Sequence, residues 1–281
     1  MSKKLTIFLA VSMVVTIFIS VIVSLNIGRK QFQQSTFVTK SLGSASPTDV
    51  GLNYENIDIA VGSRVLKAWY IPASHESGSV MVFHGQNESL SDWISAIEHL
   101  NQQGLSVFVF DYSGFGESQG EPSVAALRED ASAAYGEFRK RVGHLPSYFL
   151  GYSLGAGILI DALSHNNMPA NGVILVSPFS SIRDVAVQSG SVPRLFSFVV
   201  PNAYDNVTMV KSLQLPIHIV HSETDGRFPV WMAKKIYAAN SNADLTIVPT
   251  PTHSDFLKSQ HELGGAGEKL WSAVLAPMTS D

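Results

Sequence analysis

Between residues 80 and 248 the chain alternates short, almost unbroken apolar runs with longer stretches of helical character. The runs are Val80-Met81-Val82-Phe83, Val107-Phe108-Val109-Phe110, Tyr148-Phe149-Leu150, Val173-Ile174-Leu175-Val176 and Ile217-His218-Ile219-Val220. A strand with one wet face alternates apolar and polar residues, so a run without alternation needs cover on both faces. Helical stretches at 91–102, 123–141, 154–164 and 229–239 lie between most of these runs. Such alternation, with right-handed crossovers, predicts a mostly parallel, doubly wound α/β sheet with helices on both faces. Residues 57–61 and 65–71, joined by Gly62-Ser63-Arg64, predict an opening hairpin. Residues 245–248 supply a last strand and 266–276 a closing helix. Functional groups in sheets of this kind gather at the carboxyl ends of the strands.

Two copies of Gly-x-Ser-x-Gly occur, at Gly116–Gly120 and Gly151–Gly155. A nucleophile elbow needs a strand running straight into the turn and a helix leaving straight out of it. Ser153 has the strand 147–150 before it and the helical stretch 154–164 after it. Ser118 has neither, and Gln119-Gly120-Glu121-Pro122 after it is a turn, so Ser118 is expected to be a loop serine. A serine needs a base to take its proton and an acid to orient that base. For this elbow the chain order is Ser, then Asp or Glu, then His. Asp225 follows the strand at 217–220 and His253 follows the strand at 245–248, which makes the candidate triad Ser153, Asp225 and His253. Glu223, two residues before Asp225, is the rival acid. The oxyanion-hole donors of such a site are the N–H after the nucleophile and one from the turn after the third strand. Those positions are Leu154 and, within His84-Gly85-Gln86-Asn87, Gln86.

His84-Gly85, Asp111-Tyr112-Ser113-Gly114-Phe115-Gly116-Glu117-Ser118, Gly151–Gly155, Asp225-Gly226-Arg227-Phe228-Pro229 and His253 stand in the order found in α/β-hydrolase-fold serine hydrolases. Over about residues 65–260 the chain most resembles the Bem46-like group, whose members often carry an N-terminal membrane anchor. The resemblance implies the α/β-hydrolase fold with a lid insert, and a structural role for the stretch around Ser118. Ser222 stands where that group usually has glycine, and Thr250-Pro251-Thr252 replaces its glycine-containing approach to the histidine.

Composition divides the chain. Residues 5–27 hold 17 apolar residues and no charge. Twenty-three residues at ~1.5 Å each make ~35 Å of helix, enough to cross a ~30 Å hydrocarbon layer. A signal peptide has an apolar core of only about 7–15 residues and a small-x-small cleavage site. The expected order is therefore a single transmembrane anchor at 1–30, a Ser/Thr/Gln-rich linker at 31–51 and one hydrolase domain at 52–281. Lys3 and Lys4 before the run nearly balance Arg29 and Lys30 after it; lysines ahead of an N-terminal anchor favour an extracytoplasmic domain. Ser12, Thr16, Ser20, Ser24 and Gly28 recur every four residues, a stripe suited to self-association or simply tolerated in a membrane helix.

With 19 Lys+Arg against 23 Asp+Glu the chain has no broad basic face, so nucleic acid is not an expected partner. Zero cysteines exclude thiolate catalysis and Cys-ligated zinc, and the triad calls for no cofactor or metal. An insert at 178–215, with an apolar middle at 192–201, sits where this fold carries a lid. That middle is expected either to form an acyl pocket, to meet lipid, or to pack on the core. Together with the anchor it favours a lipid-like carboxylic ester or thioester. A peptidase or amidase on the same triad, and a non-catalytic tethered binding protein, remain the alternatives.

Overall fold

The apolar runs become strands because each serves two interiors. In the computed structural model, which describes residues 32–249, 252–257 and 264–279, the strands are β1 (Glu55–Val61), β2 (Arg64–Ile71), β3 (Gly78–Phe83), β4 (Leu105–Phe110), β5 (Ser147–Tyr152), β6 (Gly172–Val176), β7 (Ile217–Ser222) and β8 (Ala243–Val248). They form one 8-stranded sheet in the order β1-β2-β4-β3-β5-β6-β7-β8. The first two pairings, β1 with β2 and β2 with β4, are antiparallel; all the others are parallel. The sheet is thus mostly parallel, as the sequence predicts.

Helices α1 (Ile94–Gln102), α2 (Val124–Val142), α3 (Leu154–His165), α4 (Ile182–Gln188), α5 (Asn206–Met209), α6 (Trp231–Ala239) and α7 (Gly265–Thr279) complete the fold. Met81, Phe83, Phe108 and Phe110 share an interior with Leu127 and Phe138 of α2, Ile158 of α3 and Ile236 of α6. Their neighbours along the strands, Val80, Val82, Val107 and Val109, share the other with Ile97 of α1 and Trp271 and Val274 of α7. Side chains two apart share a face, so covering both faces turns an alternating pattern into a continuous one. Ser123 caps α2 by accepting the Ala126 N–H at 3.1 Å, and Arg139, Lys140 and Arg141 in its last turn face the negative end of the dipole.

One sequence expectation changes and one set of alternatives narrows. The segment expected to be a featureless linker lies against the domain from residue 32 onward. Residues 32–36 are helical, Phe37 is buried with its ring 6.3 Å from that of Tyr204, and Pro47–Val50 forms a 3-10 turn. The N–H groups of Asn87 and Gly116 donate to the carbonyls of Val38 and Lys40, both at 2.8 Å. Docking through main-chain groups leaves no periodic side-chain pattern, which is why the stretch looks structureless in sequence. The middle of the insert, a 3-10 helix at Arg194–Val199, is largely exposed and not packed on the core. The expected anchor at 5–27 lies outside the described residues. Among those residues no helix is long and apolar enough to cross a membrane.

Candidate active site

β5 delivers Ser153 directly to the N-terminus of α3, at φ 53° and ψ −116°. Residues with side chains rarely adopt such a conformation, and holding it costs on the order of 1–3 kcal/mol. The flanking glycines make the turn possible. A Cβ on Gly151 would lie 2.8 Å from the Ala156 Cα, and one on Gly155 would overlap the carbonyl oxygens of Phe83 and His84. Gly155→Ala is therefore expected to cost about 3 kcal/mol or more, because the obstacle is backbone that cannot step aside. Gly136→Ala is the control: nothing lies within 4 Å of the new methyl in mid-helix α2. It should gain about 1 kcal/mol. Urea denaturation of both variants checks the contrast.

The expected triad residues come together although they are far apart in the chain. Ser153 Oγ lies 2.8 Å from His253 Nε2, and His253 Nδ1 lies 2.6 Å from Asp225 Oδ2. The other oxygen of Asp225 accepts the N–H groups of Arg227 at 2.9 Å and Phe228 at 2.8 Å. Burial pushes the Asp225 carboxyl up, but the hydrogen bond and charge of His253, with the Phe228 N–H, outweigh it and hold the group below its ordinary range. Glu223, the rival acid, is exposed, and its N–H pairs with the Val248 carbonyl. Ser118 Oγ donates to the Asp111 carbonyl at 2.7 Å and accepts the Lys67 N–H at 2.9 Å, so its hydroxyl is consumed by the loop.

Two neighbours escape the sequence reading. Tyr152 donates its hydroxyl to the His253 carbonyl at 2.9 Å, and its ring stacks on the imidazole with centroids 5.5 Å apart. Its only sequence signal is its place inside the Gly-x-Ser-x-Gly turn. His221 lies 3.7 Å from Asp225 Oδ2, and its Nε2 donates to the Phe228 carbonyl at 2.7 Å. Burial lowers its affinity for a proton, which suits a neutral ring beside the carboxylate. Nothing in the sequence around His221 separates it from an ordinary strand histidine.

The turn after β3 also has a buried support. Gln86 and Leu154 both border the cavity above Ser153, and among the described residues no main-chain acceptor takes up either N–H. Glu88 accepts the Gly85 N–H at 2.6 Å and the Trp93 indole N–H at 3.0 Å. Burial pushes the Glu88 carboxyl up to about 7, against the charge of His84 and those two donors. A carboxyl whose folded pKa is raised stabilises the fold fully below its unfolded value of 4.5, and that contribution is lost as pH rises through about 7. Relative to Glu88→Gln, the wild type should lose about 2 kcal/mol of stability between pH 4.5 and 8. Urea midpoints that move in parallel for the two proteins would contradict this.

The family model described as Serine aminopeptidase, S33 matches residues 74–212. The esterase Pf2001 of Pyrococcus furiosus superposes with a TM-score of 0.69 over 86% of this chain and 97% of its own, at 18% identity, a likeness of fold alone. The lysophosphatidylserine lipase ABHD12 of Macaca fascicularis is 30% identical over 209 residues, covering 66% of this chain and 52% of the lipase. The chain is thus similar in sequence to α/β-hydrolase-fold serine hydrolases and shares their fold. The chain is also 27% identical over 206 residues to the uncharacterized protein YfhR of Escherichia coli strain K12, covering 70% of this chain and 72% of that one. It spans about half the length of the ABHD12 lipase it matches.

Ser153 opens onto a cavity of about 1100 Å³. Phe179, Ile182, Val185, Val192 and Phe228 give it apolar walls, and Phe32 with residues 34–36 contribute from the N-terminal segment. Arg227 is the one charged side chain among the described residues lining it. Among the described residues no group of three or more His, Asp or Glu is placed to hold a metal ion.

Proposed function

We propose that this hydrolase is a membrane-anchored enzyme that cleaves a carboxylic ester or thioester with an apolar acyl group through an acyl-enzyme intermediate. Ser153 Oγ attacks the carbonyl carbon while His253 Nε2 takes its proton; Asp225 holds the ring in the correct tautomer and stabilises the imidazolium. The N–H groups of Gln86 and Leu154 receive the developing oxyanion, with the N-terminus of α3 adding its dipole. His253 returns the proton to the departing alcohol or thiol, and the same groups then activate water to free the acid. The observation carrying this reading is a serine–histidine–carboxylate series opening onto a large apolar cavity. The lysophosphatidylserine lipases among its relatives support a lipid-like ester.

An aminopeptidase must pair the α-ammonium group of its substrate. Among the described residues the cavity offers a cation, Arg227, and no carboxylate for that purpose. Residues 5–27 supply the anchor in this reading, with the domain on the extracytoplasmic side.

A chain-length series of p-nitrophenyl esters and acyl thioesters, set against aminoacyl-p-nitroanilides, tests the proposal on the full chain in detergent. kcat/KM is expected to rise roughly two- to fourfold per methylene while the cavity fills. A preference for the anilides would sink the ester reading. Folded protein that turns over none of these compounds would favour the binding-protein alternative.

A further inference from the structure

The described residues carry eight exposed large apolar side chains, and half of them fall within residues 195–199. Leu195 is 78% exposed, Phe196 51%, Phe198 69% and Val199 61%. Soluble surfaces scatter such residues singly, and a contiguous set marks a surface that something covers. This one is not a loose loop. Val200, just beyond it, is buried, and its carbonyl accepts the Arg183 guanidinium N–H at 3.0 Å.

Two placements identify what covers it. The first is chain reach. Val199, Val200 and Pro201 line the cavity above Ser153, and so does Phe32. Phe32 is five residues beyond Ile27, the last residue of the long apolar segment. Five residues extend at most about 18 Å, so any bilayer spanned by that segment must lie close to this cavity mouth. The second is the rim. Arg194, Trp231 and Lys235 line one adjoining cavity with Asp184; Lys235 Nζ donates to the Asp184 carboxylate at 2.9 Å and sits 4.6 Å over the Trp231 ring. Apolar tips bordered by a tryptophan and by an arginine whose long stem can carry its charge to the headgroups are the chemistry of a membrane interface.

We propose that residues 195–199 insert into the face of the bilayer in which the N-terminal segment is anchored, so that the cavity above Ser153 opens to lipid. This rests on the anchor of the proposed function. A second copy of the chain would leave the chain-reach coincidence unexplained, and it becomes an outcome of the test.

The chain has zero cysteines, so Leu195→Cys and Phe198→Cys each offer one site for an environment-sensitive fluorophore. His144→Cys, exposed in the turn that leads into the amino end of β5, is the control. The labelled full-length chains are reconstituted in phosphatidylcholine–phosphatidylglycerol vesicles containing nitroxide-labelled lipid. Labels at 195 and 198 are expected to shift to the blue and to lose at least half their emission to the nitroxide, and the label at 144 to do neither. Protein that fails to float with the vesicles would overturn both anchor and insertion. Protein that floats with unshifted labels at 195 and 198 would overturn insertion alone. A blue shift without nitroxide quenching means a second copy covers the tip, and also overturns it. In a kinetic arm, Leu195→Glu with Phe198→Glu should slow hydrolysis of a long-chain ester held in vesicles at least tenfold and leave p-nitrophenyl acetate within twofold. Equal loss on both substrates would contradict supply from the bilayer.

Discussion

Ser153→Ala is expected to lower kcat for ester hydrolysis by roughly 10⁴- to 10⁶-fold and to abolish labelling by a fluorophosphonate. The same reagent should label Ser118→Ala as it labels the wild type. The two serines share a motif, and their hydrogen bonds separate them. Ser153 Oγ faces an imidazole nitrogen at 2.8 Å and borders the cavity. Ser118 Oγ is held between the Asp111 carbonyl and the Lys67 N–H. Removing it strands those main-chain groups, so Ser118→Ala should cost about 1–2 kcal/mol of stability with its chemistry intact. Ser153→Gly adds a second readout. At φ 53° glycine carries no Cβ penalty, and the inactive variant should be about 1 kcal/mol more stable than Ser153→Ala. Labelling that survives Ser153→Ala and disappears in Ser118→Ala would reverse the assignment.

What the sequence made legible follows from where each signal is generated. The strands of the parallel region were readable because residues such as Val80 and Met81 face two different interiors, leaving an unbroken apolar run. Ser153 was separable from Ser118 because an elbow must join strand to helix, a requirement local to the chain. Asp225 and His253 needed only the rule that functional groups sit beyond strand ends, but Glu223 passed the same filter. The choice between them depends on three-dimensional detail, since Asp225 is the one whose oxygen the Arg227 and Phe228 N–H groups turn inward. Glu88, Tyr152 and His221 were missed because each acts through a tertiary contact with no periodic or motif signature. Residues 32–51 carry no signal of their docking for a related reason. Their order comes from carbonyls such as those of Val38 and Lys40 receiving N–H groups from distant turns.

The hydrogen bonds around Asp225 lead to the second large effect, a loss of about 10⁴-fold in kcat for Asp225→Asn. The side chain has two separate tasks. Oδ1 accepts two main-chain N–H groups, at 2.9 and 2.8 Å, and Oδ2 accepts the Nδ1–H of His253 at 2.6 Å. An asparagine has one acceptor oxygen and one donor amide. Turning the amide toward Arg227 and Phe228 would set donor against donor twice within a buried turn, costing about 1–3 kcal/mol for each N–H left without a partner. The cheaper orientation keeps the oxygen there and points Nδ2–H at His253. The ring must then accept at Nδ1 and carry its proton on Nε2, where it donates to Ser153 and has no lone pair free to take the serine proton. Activity falls although the fold and the cavity are kept. Glu223→Gln changes an exposed side chain and should leave kcat within about threefold. The depressed pKa of Asp225 adds a check on stability. Its stabilisation is present above the unfolded value of 3.8 and is lost as pH falls through the lower folded value. The Asn variant should therefore lack part of the wild-type acid transition below pH 4, and its urea midpoint at neutral pH should fall by the part of that stabilisation its amide does not replace. A larger loss of activity from Glu223→Gln than from Asp225→Asn would transfer the acid role to Glu223.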